Sequence, residues 1–168
     1  MGSRRLVRRL YAKLEAHIAA PARVVCAESL TAGLLSSSLA AIPGASRYLW
    51  GGLVCYRTAS KERLLAVSGQ TIERNGVVSE AVAREMALGA LRTSDADFAV
   101  SLTGEAGPFC DGPAPKGRVW IALAEKSGTV HAKSFNFRGN RNRIRQKAVM
   151  AAIRELCDFV GESGLQTD

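Results

Sequence analysis

Apolar residues recur every four positions at the start of the chain: Leu6, Leu10, Leu14 and Ile18, with Arg4, Arg5, Arg8, Arg9 and Lys13 largely between them. This spacing predicts an amphipathic helix over residues 4–20, stopped by Pro21. The pattern then shortens. Arg23 to Ala27 reads as a buried strand that breaks off at Glu28-Ser29, and small residues from Thr31 to Ala41 predict a helix ending at Pro43-Gly44. Tyr48 to Tyr56 leans towards a strand, and its Gly51-Gly52 pair marks a bulge or a close approach by another group. A helix is expected from about Ser60 to Val67, and a short helix or turn around 70–75. Ser79 is placed to cap a helix over Glu80–Thr93 whose stripe is Val82, Met86, Ala90 and Leu91. Phe98 to Leu102 is a buried strand leading into the loop Thr103-Gly104-Glu105-Ala106-Gly107-Pro108. Val119–Ala124 and Val130–Phe137 form a hairpin, and a helix over about 141–160 buries Ile144, Ala148, Ala151, Ala152 and Leu156.

Helices separate most of the strands and the last pair is antiparallel. The expected fold is therefore α/β, a three-layer α/β/α sandwich on a mixed, mostly parallel sheet with one antiparallel hairpin. No repeat, linker or low-complexity stretch divides residues 1–168, so one domain is expected, with its core at about 5–160. In such folds the loops leaving the carboxyl ends of strands carry function. Here they hold Ser29, the segment after Tyr56 and the loop at 103–108. Ser29 stands where a strand meets a helix, a corner suited to an anion or a developing oxyanion; an N-cap role for Ser29 or Thr31 explains the same residues.

Composition narrows the class. The chain is 47% hydrophobic and 23% charged, as soluble globular proteins are. Cys26, Cys55, Cys110 and Cys157 form no Cys-x-x-Cys pair and only His17 and His131 accompany them, so no metal site is expected. Cys26 and Cys55 lie in apolar runs, as reduced core thiols do, and no signal peptide or membrane span is evident. A cytoplasmic location is expected. The formal charge of +8 is concentrated: residues 1–25 carry six Lys/Arg against one Glu, and residues 126–154 carry eight with no acid. Such faces suit a nucleic acid, a small phosphorylated ligand, or solvent alone. No aromatic residues interleave with the arginines and no DNA-binding motif is present, so nucleic acid is the least favoured.

The segment Ala27-Glu28-Ser29-Leu30-Thr31-Ala32-Gly33 resembles the Ala-Glu-Ser-Cys-Thr-Gly-Gly signature of the CinA C-terminal domain family, the competence-damage-inducible proteins. The resemblance continues through Pro43-Gly44-Ala45-Ser46, Gly51-Gly52, Tyr56, Lys61 and Gly76-Val77-Val78-Ser79-Glu80. It then takes in Thr103-Gly104-x-Ala106-Gly107-Pro108, Gly117-x-Val119-Trp120 and Phe137-x-Gly139-x-Arg141-x-x-x-Arg145, and so spans residues 5–160. It implies a nicotinamide-nucleotide amidase, which converts nicotinamide mononucleotide to nicotinate mononucleotide and ammonia without metal or other cofactor. The chain is similar to the stand-alone form, and a homodimer is the expected assembly.

Hydrolysing a carboxamide needs a nucleophile, a base, an oxyanion site and a proton donor for ammonia. The two histidines sit in unpromising places, which leaves a Ser–Lys pair. With the resemblance, Ser29 is the expected nucleophile and Lys61 its base, provided that burial or nearby cations lower the lysine pKa. Tyr56 is expected to donate or relay a proton, and Thr103 with the amides of Gly104, Ala106 and Gly107 to polarise the carbonyl. Thr31 and Gly33 are further substrate-binding candidates. Arg141 and Arg145, one helical turn apart, suit a 5′-phosphate or form a solvated basic face. The chain departs from the family pattern at Leu30, Ala32, Thr58, Glu105, Arg118, Asn140 and the run Phe109-Cys110-Asp111. An alternative follows from these departures: a family member that binds a nucleotide or partner without turnover.

Overall fold

The computed structural model describes residues 2–16, 21–110 and 112–163. Its centre is strand β1 (Val24–Glu28), buried along its whole length. Strands β2 (Leu49–Val54) and β3 (Phe98–Gly104) lie on either side of β1 and run parallel to it. β4 (Arg118–Glu125) is antiparallel to β3, and β5 (Val130–Asn136) antiparallel to β4, giving the order β2-β1-β3-β4-β5. Four strands point one way and β4 alone is reversed. The expected hairpin is present, and the β3–β4 pairing is a second antiparallel contact. It is closed by an irregular loop with no periodic signal to announce it.

Alternation along the strands builds two cores. Val24, Cys26, Phe98, Val100, Leu102, Val119 and Ile121 face helices α1 (Gly2–Glu15), α2 (Leu34–Ala40) and α6 (Arg141–Ser163). The opposite face carries smaller residues, Ala27, Ala99, Ala122 and Ala124, and receives α5 (Glu80–Arg92) with α3 (Thr58–Leu65) beyond it. Small side chains let α5 lie close: Ser101 Oγ donates to the Ala83 carbonyl at 2.6 Å. A short helix α4 (Gly69–Asn75) links α3 to α5. The three layers and mixed sheet are those expected.

The expected caps and faces recur. Ser79 Oγ accepts from the Val82 amide, and Ile144, Ala148, Ala151, Ala152 and Leu156 are buried on α6. Of the helix expected over 4–20, residues 17–20, including His17 and Ile18, lie outside the described residues, as does Asp111. Both readings of the Gly51-Gly52 pair hold. The β1–β2 register slips between Val24 and Val25, and a Cβ on Gly52 would sit 1.9 Å from Ser36 Oγ. Among the described residues no helix is long and apolar enough to cross a membrane.

Candidate active site

The three parallel strands end at the same edge of the sheet, and the segments leaving them meet there with the start of α6. Between them lies a cleft of about 670 Å³, whose walls include Ser29, Tyr56, Lys61, Thr103, Phe109 and Arg141. Its geometry begins with Glu28, the last residue of β1, which sequence reading had not singled out. The carboxylate is fully buried. Oε2 accepts from the Gly33 and Leu35 amides at 3.0 Å each, and Oε1 from the Ser36 amide at 2.8 Å and Ser36 Oγ at 2.6 Å. It therefore occupies the N-terminus of α2, satisfying amides that no helical carbonyl reaches. The signal was present in sequence as an acid closing an otherwise apolar strand.

This corrects two expectations. The helix starts at Leu34, three residues later than Thr31, because residues 29–33 form a turn in which Ala32 and Gly33 are left-handed (φ 47° and 91°). Glu28, and not an oxyanion, takes the helix amides. The Ala32 departure also falls outside any helix; an alanine in this conformation costs roughly 1–2 kcal/mol where the family's glycine would cost little.

Ser29 sits at the head of the turn, 8% exposed, with its amide donating to the Leu102 carbonyl at 3.0 Å. Lys61 Nζ lies 3.0 Å from Ser29 Oγ, 2.9 Å from the Cys55 carbonyl and 3.3 Å from the Tyr56 carbonyl. Lys61 is 1% exposed. It shares its face of α3 with Leu65, four residues on, and α3 is pressed against α5 where Gly89 admits it: a Cβ there would lie 2.1 Å from the Leu65 carbonyl. Burial lowers the Lys61 pKa to about 8, with the nearby Cys55 thiol pulling weakly the other way. In the neutral amine two hydrogens satisfy the two carbonyls, so the lone pair is left for the serine proton. The arrangement can generate a serine nucleophile.

The remaining candidates divide. Tyr56 is half-exposed on the cleft wall, and its hydroxyl accepts from Arg141 Nη2. Arg141 also donates through Nη1 to the Gly107 carbonyl at 2.8 Å. Thr103 borders the cleft, but its hydroxyl donates to the Val77 carbonyl at 2.9 Å, so that proton already has an acceptor within the protein. Gly104 ends β3 opposite Val119, where a Cβ would lie 2.7 Å from the Arg118 carbonyl; it is the strand pairing that demands glycine. Ala106 lines the cleft, whereas Gly107, Thr31 and Gly33 are not among its walls. Thr31 is fully buried.

Arg145 parts company with Arg141. Its Nε donates to the Leu30 carbonyl at 2.9 Å and its Nη2 to the Thr31 carbonyl at 2.8 Å, so it clamps the turn that follows Ser29 instead of facing the cleft. The Thr31 carbonyl also accepts from the Leu34 amide at 3.1 Å, whereas the Leu30 carbonyl has Arg145 for its donor. Arg145→Ala is expected to lower stability by about 1–3 kcal/mol, read as a fall in unfolding midpoint by circular dichroism; an unchanged midpoint would refute the clamp. Among the departures, Leu30 is packed in the core, Thr58 opens α3 on the cleft wall, and Arg118 Nε reaches Asn136 Oδ1 at 2.7 Å. Glu105 is a cleft residue whose amide donates to the Arg118 carbonyl at 2.9 Å.

Comparison with known proteins adds to this geometry. The family model for the CinA C-terminal domain matches residues 7–160. The chain is 43% identical over 141 residues to the nicotinamide-nucleotide amidohydrolase PncC of Enterobacter agglomerans, covering 82% of this chain and 85% of that one. It is 44% identical over 135 residues to a CinA-like protein of Anaeromyxobacter sp., covering 80% of this chain and 33% of that protein. The chain likewise spans only about a third of matching relatives from Lactiplantibacillus plantarum and Pediococcus pentosaceus. Among solved structures, a CinA superfamily protein of Klebsiella pneumoniae superposes with a TM-score of 0.90 at 28% identity, covering 96% of this chain and 99% of that one. One from Escherichia coli gives 0.82 at 34%, with 94% and 87% covered.

Proposed function

The chain belongs to the CinA C-terminal domain family, and on that premise we propose that it is a serine-type amidohydrolase that deamidates a pyridine nucleotide, nicotinamide mononucleotide. The observation that carries this reading is the buried Lys61 amine 3.0 Å from Ser29 Oγ in the wall of the cleft. The reaction named for the PncC relative supplies the substrate class.

In the proposed cycle neutral Lys61 takes the Ser29 proton as Oγ attacks the carboxamide carbon. The oxyanion is met by the backbone amide of Leu30, which follows Ser29, borders the cleft and finds no acceptor among the described residues. The Lys61 ammonium then returns its proton to the departing nitrogen, and ammonia leaves an ester on Ser29. Lys61 next takes a proton from water, which attacks the ester, and passes that proton to the departing Ser29 Oγ, so that the nicotinate product is freed and the serine and neutral lysine are regenerated. Arg141, exposed at the start of α6 and already in the cleft, is the proposed 5′-phosphate ligand; Arg145 is not, since its donors hold the turn.

The test is ammonia release from nicotinamide mononucleotide as a function of pH. Protonated Lys61 has no lone pair, so kcat/KM is expected to rise as pH passes through about 8 and to level off above it. A profile flat from pH 6 to 9.5 would remove Lys61 as the base. A second reading, binding without turnover, draws on the two departures from the family pattern, Thr58 and Glu105, that lie in the cleft wall. A nucleotide that raises the unfolding midpoint but yields no ammonia would select it.

A further inference from the structure

The two most exposed large hydrophobic side chains among the described residues border one and the same cleft. Phe109 is 88% exposed and Tyr56 51% exposed, and both lie in the wall that also holds Ser29 and Lys61. Isolated apolar residues on a surface need no explanation. Two aromatic rings beside a buried nucleophile, in a chain with only 6% aromatic residues, do. A single guanidinium ties both to the site: Arg141 donates through Nη2 to the Tyr56 hydroxyl and through Nη1 to the carbonyl of Gly107, two residues before Phe109. Phe109 also stands at one of the positions where this chain departs from its family's pattern.

The charge of the cleft says what such a ring would meet. Arg57 and Arg141 line it and favour a phosphate, while Glu62 and Glu105 in the same walls suit a cation, but none of these side chains offers a flat apolar face for a ring. Nicotinamide mononucleotide carries both, an anionic phosphate and a pyridinium. An aromatic face presents negative potential to a cation, and it stacks on a flat ring at the same time. We propose that Phe109 stacks on the pyridinium ring of the bound nucleotide and makes this chain selective for nucleotides with an oxidised, cationic pyridinium ring over the reduced forms, whose ring is uncharged. The proposal rests on the amidase reading for its substrate class.

The experiment titrates nicotinamide mononucleotide and its reduced counterpart, whose ring is uncharged, by calorimetry into the Ser29→Ala protein, with and without a second change at position 109. The phosphate is common to both ligands, so their affinity ratio reports the ring alone. The oxidised form is expected to bind about tenfold more tightly, the ratio falling towards one in Phe109→Ala and Phe109→Leu and being kept in Phe109→Trp. Leucine preserves apolar cover but has no π face; a Phe109→Leu protein with the full ratio would overturn the proposal, as would a ratio near one with Phe109 in place. In proteins that retain Ser29, Phe109→Ala is expected to raise KM for ammonia release by about tenfold with kcat little changed. The two readings fail separately. A Phe109-dependent ring preference without ammonia release from the native chain sinks the amidase reading alone. Ammonia release with no ring preference sinks this one alone.

Discussion

Ser29→Ala and Lys61→Ala are each expected to cut ammonia release from nicotinamide mononucleotide by roughly 100-fold or more. The losses should not add in the double variant, because nucleophile and base act in one step. Lys61→Arg is the sharper test. A guanidinium keeps the positive charge but does not give up its proton at usable pH, so it cannot act as base. If the role of Lys61 were only to neutralise an oxyanion, Lys61→Arg would retain much of the rate; as the base, it should be as inactive as alanine. Each variant needs its unfolding midpoint measured alongside, since Lys61 is fully packed and a longer side chain strains the site. A folded Lys61→Arg protein with more than a tenth of native activity would end the Ser–Lys mechanism and leave the family assignment untouched.

Glu28→Ala is expected to be the most destabilising single change near the site, costing about 3–5 kcal/mol out of the 5–15 kcal/mol typical of a folded domain. The reason is asymmetry. The carboxylate accepts four hydrogen bonds in a dry setting, and removing it leaves the Gly33, Leu35 and Ser36 amides without their acceptor. The truncated side chain also opens a void beside α2. Denaturant unfolding of Glu28→Ala checks the figure; a change under 1 kcal/mol would mean that water replaces the carboxylate and that the brace is dispensable. Glu28→Gln should lose less, because one oxygen still accepts and Ser36 Oγ can turn to accept from the new amide. Activity should fall with stability in both, since Glu28 holds the helix end of the turn that carries Ser29.

Much of this could be read from one-dimensional pattern. The four-residue spacing of α1, the apolar runs of β1 and β3, the Ser79 cap and the buried stripe of α6 are local devices, each legible because its residues lie within a few positions of one another. The family motifs likewise pointed to Ser29 and Lys61. Residue type alone would have put Lys61 in solvent, for a lysine on a short polar helix is ordinarily exposed.

Only the tertiary structure separated the roles of residues that look alike in sequence. Arg141 and Arg145 are one turn apart on the same helix. One reaches the cleft and the other is spent on the Leu30 and Thr31 carbonyls, more than 110 residues earlier. Thr31 and Gly33 sit in the signature itself, yet the left-handed turn keeps them out of the cleft walls. Glu28 reads in sequence as a strand end, and only the placement of α2 brings its amides to the carboxylate. The sequence alone determined which segments are helix or strand and which chemistry is on offer, because periodicity and residue type act over short distances. Long-range packing decided the rest: the burial of Lys61 against Ser29 and the Cys55 carbonyl, and the assignment of each donor to a carbonyl far along the chain, depend on neighbours that no local pattern names.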